Sequence, residues 1–261
     1  MDLRFVKVKN EHYVTTIELN HAPANTLSSS CINELRALFA ALTDDDDTRA
    51  IIVTGAGRFF VAGADIKEFV SALGDEEKAL SMAEAGQALC NEIEAMNKPV
   101  IAAINGPALG GGLELAMGCH FRIASETAIL GLPELKLGLI PSFGGTQRLS
   151  KLTNKATALR LILTSKQLSA SEAAEIGLVQ MVVSPEELIQ TAVAIAQSFI
   201  DGKSMTSISR AVECIMHGYD EPLDASLDRE RKRFAELFLT ADAKEGIQAF
   251  VEKRSPQFSH S

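Results

Sequence analysis

PVIAAINGPALGGGLELAM, residues 99–117, decides how the rest of the chain is read. Pro99 opens a run of apolar residues through Ile104 that has the pattern of a strand buried on both faces. Gly106 to Gly112 then forms a glycine-rich turn, and Leu113 to Met117 reads as a helix. The flanks repeat the scheme. Ala50-Ile-Ile-Val-Thr is a second buried strand ending at Gly55, Asp75 to Met96 reads as a long helix, and Phe121-Arg-Ile-Ala is a further strand. Strand and helix alternating at these intervals give an α/β core with parallel crossovers.

Further out, Phe5 to Asn10 and Tyr13 to Leu19 alternate with period two, and Asn10-Glu11 between them predicts a hairpin turn. Ser28 to Leu42 has helical spacing behind a capping Ser cluster. Asp44 to Asp47 follows as four carboxylates without the spacing or glycine of a calcium loop, so a solvated loop is expected. Ser169-x-x-Glu172 predicts a capping box before a helix over Ala173–Ile176, and Ser184-Pro185-Glu186-Glu187 predicts a second. Leu178 to Val183 between them reads as a strand. Helical patterning dominates the remainder, through Asp224–Leu239 and Ala243–Lys253. The expected organisation is one α/β domain over residues 1–200 with a helical region over 201–261.

The chain has 261 residues, 34 acidic and 25 basic, for a net charge of −9, which weighs against a sequence-independent nucleic-acid binder or a polybasic membrane-surface protein. Aromatic residues make up 5% and Trp is absent, so no base-stacking platform is apparent. The uncharged stretch Pro99 to Leu113 falls short of the roughly 18 residues of a membrane span and is ended by Glu114. Met1 to Tyr13 mixes charges of both signs with apolar residues, unlike a signal or transit peptide, and a cytoplasmic protein is expected. Cys31, Cys90, Cys119 and Cys214 form no C-x-x-C pair, which favours reduced thiols over a disulfide scaffold or zinc ribbon. The five histidines share no H-x-x-x-H spacing, and no metal site is expected. Gly55-Ala56-Gly57 fails the dinucleotide fingerprint because position 60 is Phe60, no G-K-[ST] is present, and Pro141-Ser142-Phe143-Gly144 is not a nucleophile elbow.

Two glycine-rich segments carry the chemistry that remains. Val61-Ala-Gly-Ala-Asp-Ile-Lys67 follows a strand, and its small residues let a ligand approach main-chain N–H groups, with Asp65 able to cap the next helical turn. Gly110-Gly111-Gly112 at a helix start leaves N–H donors free at the positive end of the dipole. Each alone is equally a tight turn; together they would make a two-donor hole for an enolate or oxyanion. Glu114, three residues after Gly111, lies one turn into the same helix inside an apolar stretch, where burial would raise its pKa. Glu134 also sits between apolar residues, in an expected loop.

Ala62-Gly-Ala-Asp-Ile-Lys, Asn105-Gly-Pro-Ala-Leu-Gly-Gly-Gly-Leu-Glu-Leu, Pro133-Glu-Leu-Lys-Leu-Gly and Pro141-Ser-Phe-Gly-Gly-Thr-Gln-Arg-Leu occur in this order, and the chain resembles the crotonase superfamily essentially end to end, closest in pattern to its enoyl-CoA hydratases. The resemblance implies a spiral of ββα turns with a helical C-terminal oligomerisation region. It implies hydration of a 2-enoyl-CoA thioester in fatty-acid β-oxidation, with coenzyme A part of the substrate and no separate cofactor. The N–H groups of Ala64 and Gly111 would bind the thioester oxygen, Glu114 would activate water for attack at Cβ, and Glu134 would protonate Cα. Ala62 and the run Ala64, Asp65, Ile66 and Lys67 would line the CoA site. Phe250 and Lys253 match positions that reach the site of a neighbouring subunit, usually in a hexamer built as a dimer of trimers. Glu at both catalytic positions favours hydration over isomerisation and leaves a branched-chain substrate open. Where many members carry a basic residue near Pro23, this chain has Ala22 and Ala24, so no basic CoA contact is implied from that loop. Because CoA is a polyanion, an acidic chain needs a local positive patch, for which Lys67 and a neighbour's Lys253 are candidates. The acyl-pocket wall is expected from Glu68 to Gln87.

Overall fold

Strands buried on both faces require cover on both, and the chain supplies it by winding. The computed structural model describes residues 3–260, so Met1, Asp2 and Ser261, at the ends of the two expected regions, lie outside it. The hairpin β1 (Val6–Glu11) and β2 (Val14–Leu19) leads through α1 (Ser29–Thr43) to β3 (Ala50–Gly55), α2 (Ile66–Ala72) and α3 (Glu76–Glu94). Next come β4 (Val100–Ile104), β5 (Ala108–Leu109), α4 (Gly111–Gly118), β6 (Phe121–Ser125) and β7 (Ile129–Gly131). A 3-10 turn at Glu134–Leu137 precedes α5 (Gly145–Leu152) and α6 (Lys155–Thr164). Then follow β8 (Leu168–Ser169), α7 (Ala170–Glu175), β9 (Met181–Val183), α8 (Leu188–Ile200), α9 (Met205–Gly218), α10 (Leu223–Leu237) and α11 (Ala241–Glu252).

The main sheet runs β1-β2-β3-β4-β6-β9, antiparallel at the hairpin and parallel from β2 onward. The second, β5-β7-β8, is small, and single bridges at Leu27–Ala64 and Val61–Ala108 add the earlier turns to that side. Each turn therefore passes from the main sheet to a short second strand and then to a helix, which is the expected spiral. Period two shows in the core: Ile51, Val53, Val100, Ala102 and Ile104 face the large core with α1, α3 and α4. Ala50, Ile52, Ile101 and Ala103 face Leu188, Ala192, Ala196 and Ile200 of α8.

Three local expectations are corrected. The hairpin turns at His12-Tyr13 rather than Asn10-Glu11, with both turn residues left-handed (φ 51° and 64°) and Glu11 paired to Val14. Tertiary contacts hold it: Arg49 lies 3.8 Å over the Tyr13 ring, and its N–H donates to the Tyr13 carbonyl at 2.8 Å. The capping box forms at Ser169 but not at Ser184. There the hydroxyl donates to the Glu187 carboxylate while the Glu187 N–H bonds the Ser184 carbonyl, a turn that delays α8 to Leu188. The strand expected over Leu178–Val183 shortens to β9, because the Leu178 carbonyl accepts from Arg122 Nε and the Gln180 side chain accepts from the Arg122 N–H.

Helices α5 and α6 go beyond the sequence expectation, and α9 falls within the expected helical remainder. The Asp44–Asp47 loop binds internally instead of assembling a metal site: Asp45 accepts from Thr48, and the buried Lys98 ammonium donates to the Leu42 and Asp45 carbonyls at 2.7 Å, capping α1. Among the described residues no His/Cys/Asp/Glu cluster could hold a metal ion, and no helix is long and apolar enough to cross a membrane. Helices α9 and α10 bury no residue fully, and Phe234 on α10, Phe238 and Leu239 just after it, and Phe250 on α11 stand exposed.

Candidate active site

The site is built where the second sheet meets the N-terminus of α4. The Leu27 bridge takes the Gly63 carbonyl (2.9 Å) and the Asp65 N–H (3.1 Å), so the Ala64 N–H between them points the opposite way, toward α4. At the start of α4 the Gly111 N–H has no intrahelical acceptor. Among the described residues neither N–H takes part in a backbone hydrogen bond, and a Cβ placed on Gly111 would lie 3.6 Å from the Ala64 nitrogen. Two free main-chain donors thus sit side by side at a helix N-terminus, as the two glycine-rich segments lead one to expect.

Glu114, one turn along α4, is 1% exposed. Its Oε1 accepts from the N–H groups of Phe143 (2.8 Å) and Gly145 (2.7 Å), leaving Oε2 for the cavity that the residue lines. Burial is the larger influence and pushes its pKa from 4.5 to about 7, with the nearby Glu134 adding to the rise and the two N–H donors and Arg148 opposing it.

Glu134 opens the 3-10 turn rather than lying in an irregular loop, and its pKa too is raised by burial. Its Oε2 is shut away from solvent without a hydrogen-bond partner among the described residues, and its Oε1 hangs over Gly110. That glycine is required: its φ is +52°, and a Cβ there would lie 2.7 Å from Glu134 Oε1. The two carboxyl groups and the two N–H donors share a cavity of about 330 Å³. Its apolar wall comes from Phe69, Leu73 and Met82, within the expected Glu68–Gln87 stretch, and from Leu137, Ile140 and Phe143.

Of the other expected residues, Ala62 and Ile66 line this cavity. Asp65 and Lys67 do not: Asp65 caps α2 by accepting the Lys67 N–H at 2.9 Å, and the Lys67 side chain is exposed outside. Phe250 and Lys253 lie on α11 and at its left-handed C-cap, both exposed and outside the cavity of their own chain. Sequence reading assigned no role to the Phe143 and Gly145 N–H groups that hold Glu114. The quoted Pro141-Ser-Phe-Gly-Gly run marks that turn, but backbone donors leave no signature in side-chain type.

The sequence profile of the enoyl-CoA hydratase/isomerase family matches residues 9–261. A probable enoyl-CoA hydratase of Bacillus subtilis is 49% identical over 249 residues, covering 95% of this chain and 96% of that protein. A short-chain-enoyl-CoA hydratase of Clostridium acetobutylicum is 40% identical over 256 residues, 97% of each. The crystal structure of an enoyl-CoA hydratase from Bacillus anthracis superposes with a TM-score of 0.92 at 39% identity, over 99% of this chain and 100% of that one.

Proposed function

This chain belongs to the enoyl-CoA hydratase/isomerase family and is an enzyme of the hydratase class, and on that premise we propose that Glu114 and Glu134 add water across the 2,3 double bond of a 2-enoyl-CoA in fatty-acid β-oxidation. The observation that carries this reading is the single cavity holding two carboxyl groups of raised pKa beside two unpaired N–H donors. Water held between the carboxyls loses a proton to Glu114 as its oxygen bonds Cβ. The π electrons move toward the thioester, whose oxygen gathers negative charge against the Ala64 and Gly111 N–H groups. Glu134 gives its proton to Cα, and exchange with solvent restores both carboxyls. A hole donor of this kind contributes roughly 3–4 kcal/mol and a positioned carboxyl roughly 100- to 10,000-fold.

Loss of enoyl-thioester absorbance with crotonyl-CoA tests the activity, and a series of acyl lengths reads the apolar wall; failure to hydrate any 2-enoyl-CoA overturns the reading. Because one carboxyl must be ionised and the other protonated, the rate should follow the singly protonated pair. A bell-shaped pH profile of kcat/KM is expected, its acid limb above the ordinary carboxylate range; a profile flat from acid to neutral pH contradicts the assignment.

The rest of the substrate's binding is assigned to the assembly. Lys67, next in the chain to the lining Ile66, and Phe250 and Lys253 of a neighbouring subunit would meet the CoA moiety, in a cytoplasmic hexamer arranged as a dimer of trimers. Residues 201–261 would form the trimerising region, a role supported by the apolar side chains that α10 and α11 leave uncovered.

A further inference from the structure

We propose that Arg148 is a positioning residue for Glu114, locking the turn whose two N–H groups hold the Glu114 carboxylate. This rests on the proposed role of Glu114 as the base. Arg148 lies on α5 and is 8% exposed, and every polar contact of its guanidinium is directed. Nη1 donates to the Phe143 carbonyl at 3.0 Å; Nη2 donates to Asn91 Oδ1 at 2.6 Å and, with Nε, to Glu94 Oε2 at 2.7 and 3.1 Å. Asn91 and Glu94 are one turn apart on α3, so the planar fork ties α3 to the turn at 142–145.

The turn presents three successive peptide units. The first contributes the Phe143 N–H and the third the Gly145 N–H, both to Glu114 Oε1; the middle one contributes the carbonyl that Arg148 holds. Next to that carbonyl is Gly144, at φ +102°, where a Cβ would lie 2.2 Å from Arg148 Nη1. A glycine in that conformation supplies no rigidity of its own. Gln87 Nε2 holds the Ser142 carbonyl and the Gln147 and Arg148 N–H groups hold the Gly144 carbonyl, so the middle peptide between the two donors depends on the Arg148 guanidinium. Without it the Glu114 carboxylate loses the fixed geometry that a water attack requires, while the Ala64 and Gly111 donors and the apolar wall stay in place.

Charge acts in the same direction. The groups facing Glu114 are Glu134 from the 3-10 turn, Arg148 from α5 and the Cys90 thiol from α3, with Glu94 paired to Arg148 beyond. Burial keeps the Cys90 thiol neutral. Arg148 is therefore the cation that favours ionised Glu114 against burial and Glu134.

Arg148→Met and Arg148→Lys, each alone and in an Glu114→Gln background, provide the test. Arg148→Met should lower kcat for crotonyl-CoA roughly 100-fold with KM changed less than about threefold, and move the acid limb of the pH profile upward. Affinity for butyryl-CoA, a saturated thioester that cannot react, should stay within about threefold of wild type. Arg148→Lys keeps the charge but not the fork, so it should leave the limb near its wild-type position and still lose roughly tenfold in kcat; it also serves if the Met variant fails to fold. In the Glu114→Gln background, Arg148→Met should cost less than about threefold further, since a residue acting through Glu114 has nothing left to act on. Wild-type kcat in Arg148→Lys, or an undiminished loss in the Glu114→Gln background, overturns the proposal. Wild-type turnover by Glu114→Gln alone instead removes the base assignment, whatever Arg148 does.

Discussion

Replacing Glu114 by Gln is expected to cost at least roughly 1,000-fold in kcat for crotonyl-CoA while making the folded protein more stable above neutral pH. The two effects have one cause. Glu114 is buried in α4, and its pKa stands at about 7 where an exposed Glu has 4.5. The folded state thus binds the proton more tightly than the unfolded one. Its contribution to stability is full below the unfolded pKa, declines as pH rises toward the folded value, and stays lost above it. An elevation from 4.5 to about 7 corresponds to a penalty on the order of 3 kcal/mol at alkaline pH.

Gln is uncharged at every pH, and its side-chain oxygen can still accept from the Phe143 and Gly145 N–H groups. It therefore avoids the penalty and loses only the base. Denaturant midpoints compared at about pH 5 and about pH 8, with protomer concentration held fixed, should show the variant gaining on wild type as pH rises. Equal midpoints at both pH values would mean that Glu114 carries no buried charge. A burial-raised pKa that costs stability and supplies a base near neutral pH is the usual bargain of a functional carboxylate.

The parts of this protein legible in its sequence are those where one local pattern has one physical solution. The apolar run from Val100 to Ile104 reads as a two-sided strand, the glycines at 110–112 stand at the start of the next helix, and Glu114 follows by counting one turn. The hairpin turn was misplaced because His12 and Tyr13 adopt left-handed conformations held by Arg49, a contact between strands distant in sequence. Ser184 and Glu187 matched a capping box in letters, yet their side chains bond each other rather than the backbone donors. Helix α6 was legible and missed: Asn154 caps it, and Ala158, Leu161 and Ile162 repeat at helical spacing. Helix α5 has no side-chain cap and begins on glycine. Glu134 is the opposite of Glu114. Its burial depends on Gly110 from another turn of the spiral, so its role came from resemblance and not from local pattern.

That dependence makes Glu134→Gln the sharper test of the site as an assembly. Turnover should fall at least roughly 100-fold while butyryl-CoA binding stays nearly intact. Glu134 Oε2 is buried with no partner among the described residues, an arrangement that leaves a hydrogen-bonding atom for water or substrate. Burial raises its pKa, which favours the protonated form that delivery to Cα demands. An amide has nearly the same shape but no transferable proton, so binding and reaction should separate: KM close to wild type, kcat lost, and the alkaline limb of the pH profile gone with it. The amide is as uncharged as the protonated Glu134 of the active form, so the surviving acid limb, set by Glu114 beside a neutral partner, should not move downward. A residue that merely packed beneath Gly110 would not remove one limb and leave the other. Wild-type turnover in Glu134→Gln would remove Glu134 from the chemistry and leave Glu114 to handle both protons.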